Sequence, residues 1–199
     1  MNIIRTCILC IVFQKFYLRA KKLEGGVSRK HFLWVFIFLL YLAAVYGVTG
    51  IGTIWDVLRF VISSTSKFDR IYLIPFSSSK VSMPYILNTI MTIPLGFMLP
   101  FIWKQFRTIK KVALTGFLLS LCIELSQLFT QKRNTTSDDL IMNTLGAAIG
   151  YFIFKAFFLI ILKKNSNIKD EISSSSIVIK YEAIYYLILS FLGMFLFQI

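Results

Sequence analysis

Acidic residues are scarce, with nine Asp and Glu among 199 residues against 22 Lys and Arg. Charged residues of both signs make up only 16% of the chain, and 57% of it is hydrophobic. An ordinary soluble domain carries roughly a quarter charged residues. A water-soluble globular enzyme is therefore excluded, and lipid must cover much of the surface. Histidine occurs once, as His31 beside Lys30. An HExxH zinc helix, which needs two histidines, is excluded, no Ser-His-Asp set is evident around this interfacial histidine, and no P-loop motif is present. The three cysteines, Cys7, Cys10 and Cys122, all sit in apolar runs. They imply no disulfide framework, and Cys7-x-x-Cys10 lacks the context of a redox or zinc site. No metal and no cofactor is expected. The net charge of +13 comes from Lys and Arg flanking the apolar runs. That is the pattern of membrane anchors, and no nucleic-acid partner is expected.

What the chain has instead is long uncharged runs. They cover residues 31–55, 81–103, 112–131 (broken only by Glu124), 140–162 (broken only by Lys155) and 183–199. A bilayer core takes about 20 apolar residues per helix, with a range of about 17–25. The expected fold is all-α: a polytopic transmembrane helix bundle with five strong spans. Residues 3–18 would add a sixth span, or an interfacial helix, with Arg5 and Lys15 snorkelling. Residues 1–13 imitate a signal peptide but lack a small-residue cleavage site, so the segment is expected to be retained.

Between the first two strong spans, Ile54, Val57, Leu58, Val61, Ile62 and Phe68 share one helical face, and Asp56, Arg59, Ser63, Lys67 and Arg70 the other. This 3.6-residue period with a basic polar face predicts an interfacial helix over about 53–70. The expected organisation is a hydrophobic helix and basic loop over 1–30, a membrane domain over 31–162, a polar loop over 163–180 and a last span over 181–199.

Loops 14–30, 104–111 and 163–180 hold fourteen Lys and Arg, whereas loops 52–80 and 131–139 hold six and also carry four of the nine acids. By the positive-inside rule the first set is cytoplasmic. The second set and the C-terminus then face outward.

Ionisable and strongly polar groups are costly in lipid, so they are the site candidates. Ser120, Glu124, Gln127 and Gln131 recur at i, i+4, i+7 and i+11, on one helical face. Glu124 would lie about 9 Å in from the outer end at 1.5 Å per residue. It needs a cation or a proton, and the short hairpin 131–139 brings Arg133 within reach. Asp138 and Asp139 open the next helix, where the dipole favours carboxylates. Asp139, Asn143, Gly146 and Gly150 continue along one face, and Gly146-x-x-x-Gly150 admits a close helix contact. Asn88, Thr92 and Gly96 form a further stripe, and Pro94 removes a backbone donor from that helix. Packing is the preferred account of Pro94, Gly96 and Gly150. Asn88, Thr92, Gly146 and Asp138 read equally well as packing or capping residues and as site residues. Lys155 snorkels, and His31 lies at the opposite side of the membrane from Glu124.

Asn88-x5-Pro94-Leu95-Gly96-Phe97, Ser120-x3-Glu124-x2-Gln127 and Arg133-x4-Asp138-Asp139-x3-Asn143-x2-Gly146-x3-Gly150 together resemble the VanZ-like family. Ile74-Pro75-Phe76 also fits, and the resemblance covers about residues 70–160. Ser137 departs from the pattern, which usually has an apolar residue before the Asp pair. The resemblance implies an integral membrane protein, usually bacterial. The family's namesake is associated with resistance to teicoplanin, a glycopeptide with a fatty acyl tail.

Three functions follow. One is a non-enzymatic envelope protein that contacts a lipidated glycopeptide or lipid-linked envelope precursor through Asn88, Ser120, Glu124, Gln127, Arg133, Asp138, Asp139 and Asn143. Another is a membrane enzyme with Glu124 as general acid or base and Arg133 holding a phosphate or carboxylate. The third is a proton-coupled transporter with Glu124 as relay, for which so few spans are unusual unless the protein forms a homo-oligomer. The first is the preferred expectation.

Overall fold

The computed structural model describes residues 11, 29–63, 71–72, 74–75, 83–130, 135–164 and 177–197. Among these the architecture is all-α. The helices are α1 (Arg29–Thr49), α2 (Ile54–Ser63), α3 (Met83–Ile102), α4 (Ile109–Gln127), α5 (Ser137–Lys164) and α6 (Ile177–Phe197). A 3-10 turn covers Lys104–Phe106. The only extended pairing described joins Ile71–Tyr72 to Thr135–Thr136, two residues each.

The chain forms two compact units. The first comprises Met1–Tyr72, Cys122–Thr135 and Tyr185–Ile199, and the second Leu73–Leu121 and Thr136–Ile184. Helices α4 and α6 each run from one unit into the other along the chain.

In the first unit, α1 buries Val35, Phe38, Leu42 and Tyr46. The Tyr46 hydroxyl lies 3.2 Å from Ser190 Oγ, and its ring meets Phe191 edge-on. α1 ends where Gly50 takes φ +64°, a left-handed conformation that glycine adopts without a Cβ clash. Thr53 then starts α2. Its N–H and hydroxyl both donate to Asp56 Oδ2, at 2.9 and 2.8 Å, and Asp56 N–H donates back to Thr53 Oγ1. This is a capping box built from Thr and Asp. α2 leaves Val61 and Ile62 exposed, at 69% and 81%.

In the second unit, α3 and α5 pack with almost no side chain between them. A Cβ built on Gly96 would land on the carbonyl of Ala147, one on Gly146 on the carbonyl of Thr89, and one on Gly150 on the carbonyl of Ile93. Contacts this close need glycine, and in lipid such packing replaces the hydrophobic drive between helices. Beside the crossing, Phe97, Phe101, Phe154 and Phe157 form an aromatic cluster with centroids 5.6–6.3 Å apart. Leu95, Leu99, Trp103, Val112 and Ala147 complete the core. The outer faces carry Ile86, Leu87, Ile90, Phe152, Ile153, Leu159 and Ile160, all exposed. In water such a surface would be costly.

Among the described residues, three stretches are long and apolar enough to cross a membrane. They are Lys30–Ile62, which the break at Gly50 divides into α1 and α2, then Met83–Ile102 and Ser137–Ile160. The expected five strong spans are corrected to three among the described residues. For α4 the physical reason is where the helix begins: it starts at Ile109, so Lys110 and Lys111 join Glu124 within 19 residues. α6 is 21 residues long, and the apolar stretch among its described residues is Tyr181–Leu196. The expected N-terminal span over 3–18 lies outside the described residues, Ile11 excepted. So do residues 64–70 of the expected interfacial helix and residues 165–176 of the expected loop 163–180.

Candidate functional site

Six of the polar residues meet in pairs within the second unit. α5 opens at Ser137, and Asp138 and Asp139 stand in its first turn, where the helix dipole stabilises carboxylates. Asp139 N–H is capped by Thr136 Oγ1 at 3.3 Å. Asp138 is buried, and Tyr85 Oη donates to its Oδ2 at 2.6 Å. Asn88 Nδ2 donates to Asp139 Oδ1. One turn further along α5, Asn143 Nδ2 donates to Ser120 Oγ of α4 at 2.8 Å. The first turns of α3 thus hold the two carboxylates that begin α5, and α4 holds the amide that follows.

This arrangement grows from the register of the α3–α5 crossing. Gly146 and Gly150 on α5 set the distance, and the residues one and two turns before Gly146 are Asn143 and Asp139. Thr89 and Thr92 donate to the carbonyls of Tyr85 and Asn88, at 2.9 and 3.0 Å. Those hydroxyls are therefore committed to their own helix. Tyr85 was not among the residues singled out in the sequence. The available signal was its place three residues before Asn88, on the same helical face.

Asn143 is 5% exposed, and its Oδ1 is the one buried side-chain polar atom among the described residues without a hydrogen-bond partner. Ser120, 3% exposed, is its amide partner. A buried acceptor left unmade costs about 1–3 kcal/mol. Replacing both groups with apolar ones removes the penalty. Ser120→Ala with Asn143→Leu is expected to match or exceed the thermal stability of the parent in detergent. Asn143→Leu alone, which strands the Ser120 hydroxyl, is expected to be the least stable of the three.

The remaining candidates belong to the first unit. Glu124 is buried at 4% exposure. Gln127 Nε2 donates to the carbonyl of Thr49 at 2.6 Å. Ser126 Oγ donates to Ile123 O and accepts the N–H of Gly52 at 3.0 Å. These two bonds fasten the backbone on either side of Gly50 to the end of α4. Arg133 and Gln131 lie outside the described residues, so the expected Arg133–Glu124 pairing does too. Pro94 and Pro100 both lie inside α3, and Pro100 is buried. Among the described residues no group of three or more His, Cys, Asp or Glu is placed to hold a metal.

Apolar helices of membrane-crossing length, a glycine-lined crossing and polar pairs at one end of it define a polytopic membrane protein. The VanZ/LLP1 family model matches residues 38–163, well over half of the chain. The protein belongs to the VanZ/LLP1 family. No curated protein and no solved structure matches it.

Proposed function

We propose that this chain is an envelope protein of the bacterial cytoplasmic membrane that contacts the polar part of an amphiphile from the outer side. The ligand class is a lipidated glycopeptide such as teicoplanin or a lipid-linked envelope precursor. The observation that carries this reading is the set of pairs Tyr85–Asp138, Asn88–Asp139 and Ser120–Asn143 at one end of two closely packed membrane helices. Pairing offsets the desolvation cost of such a place, about 2–7 kcal/mol for an unpaired polar group, and strongly polar residues within membrane spans mark functional sites. The lysine and arginine balance of the loops puts loops 14–30, 104–111 and 163–180 in the cytoplasm and this end outside. In that orientation the pairs sit at the outer leaflet, where a lipid-tailed molecule presents its headgroup. The exposed apolar side of α2 suits a helix lying in the interface.

The burial of Glu124 favours one second reading, in which its carboxyl group carries a proton in a reaction on a lipid-linked substrate or in coupled transport. Turnover by the purified protein in detergent would favour the enzyme, and uptake into proteoliposomes the transporter.

The test is susceptibility of bacteria expressing the chain, Asp139→Asn, Glu124→Gln or nothing, at matched membrane levels. Teicoplanin is compared with vancomycin, which lacks the acyl tail. Protection against teicoplanin alone, lost in Asp139→Asn, is the expected result. Equal susceptibility of all four strains to both compounds would remove glycopeptides from the ligand class.

A further inference from the structure

The other end of the α3–α5 pair holds a second polar assembly. Asp138 and Phe154 lie about 24 Å apart along α5 at 1.5 Å per residue, so this assembly is separate from the pairs described above. α3 stops at Ile102, and the chain turns through buried Trp103 and the 3-10 turn Lys104–Phe106 to Arg107. The Arg107 guanidinium carbon stands 4.5 Å from the Phe158 ring centroid and 5.9 Å from that of Phe154. Its Nε donates to the carbonyl of Pro100 at 3.4 Å, which also caps the end of α3. Its own carbonyl accepts from Tyr151 Oη at 3.1 Å. The backbone, the stem and the flat face of this arginine are therefore held. No described residue engages the two terminal nitrogens of its fork.

The surroundings are positive. Burial, and after it the charge of Arg107, lower the Lys104 ammonium from its ordinary value. Burial also lowers Arg107. Lys110 and Lys111 occupy the first turn of α4, where the helix dipole disfavours cations. Glu182, a buried acid of the same unit, accepts the Trp103 indole N–H at 2.9 Å. Cations gathered in this way at the edge of a membrane span are relieved by an anion. A guanidinium stacked on aromatic rings, with a fork that no described residue engages, matches two phosphate oxygens.

We propose that Arg107 and Lys104 form a binding site for the phosphate group of an anionic phospholipid at the membrane edge. The proposal goes beyond the amphiphile reading and does not depend on it. The lipid supplies what a free anion lacks, namely acyl chains that lie along the exposed apolar side chains of α5, among them Leu159 and Ile160. Anionic lipid gains about 1 kcal/mol per nearby Lys or Arg from charge alone.

The experiment is thermal unfolding of the purified full chain in neutral detergent. Phosphatidylglycerol, diacylglycerol and inorganic phosphate are titrated separately at constant ionic strength. Phosphatidylglycerol is expected to raise the unfolding temperature saturably, and diacylglycerol, which has no phosphate, is expected not to. Arg107→Lys keeps the charge and loses the fork, and it is expected to weaken the phosphatidylglycerol response about tenfold, the equivalent of one charge-assisted hydrogen bond. Lys104→Ala, outside the aromatic stack, is expected to weaken it less. An undiminished response in Arg107→Lys would overturn the proposal, as would equal shifts from phosphatidylglycerol and diacylglycerol. A response to inorganic phosphate equal to that for phosphatidylglycerol would overturn the lipid as its source.

Discussion

Gly150→Val is expected to leave little folded protein in the membrane. A Cβ at this position meets the carbonyl of Ile93, and Gly96 Cα and Phe97 N both lie 2.9 Å from it. All three obstacles are backbone atoms of α3, so no rotamer change can give way. The helices must part, and parting them also breaks the contacts of Gly96 with Ala147 and of Gly146 with Thr89. Overpacking ordinarily costs about 1–3 kcal/mol. With two backbones displaced, about 3 kcal/mol or more is expected here. Unfolding in detergent with increasing dodecyl sulfate measures it. Ile149→Val, on the half-exposed neighbouring position, serves as the control and is expected to stay within about 1 kcal/mol of the parent.

The second large effect is expected at Trp103. Its side chain is 0% exposed, and its indole N–H donates to Glu182 Oε2 at 2.9 Å. Trp103→Ala removes both the packing and the donor, and a loss of about 3–5 kcal/mol is expected. Trp103→Phe keeps most of the volume and takes that donor from a buried carboxyl group, at an expected cost of about 1–3 kcal/mol. Adding Glu182→Leu to Trp103→Phe is expected to recover part of that loss. Additive losses in the double variant would mean that the hydrogen bond contributes nothing to stability.

The helices were legible in the sequence because in lipid the absence of charge is the main signal, and it marks α1, α3 and α5 directly. Their number was overcounted for a physical reason. An uncharged run shows where a helix can lie in lipid, whereas local hydrogen bonding decides where it begins. α4 starts at Ile109 and draws Lys110 and Lys111 into the helix. The face shared by Asp139, Asn143, Gly146 and Gly150 follows from helical periodicity alone. The partners are another matter. Asn88 meets Asp139 across 51 residues, Trp103 meets Glu182 across 79, and Gln127 meets a main-chain carbonyl across 78. A carbonyl has no signature in a sequence, and a tryptophan reads as an apolar residue until its N–H has somewhere to go. Tyr85 escaped notice for the same reason. Its ring counted as part of a span, and its hydroxyl group is what reaches Asp138.

The glycine contacts also have a mechanical meaning. Where Gly96, Gly146 and Gly150 meet carbonyls of the facing helix, neither helix can roll about its axis or slide along the other without driving a Cα into an oxygen atom. The pair behaves as a single stiff strut, with no seam for a water file or an acyl chain to follow between its two members. Motion elsewhere in this unit is therefore expected along the outside of that strut, and fluorophores attached to α3 and α5 would keep a constant separation through it.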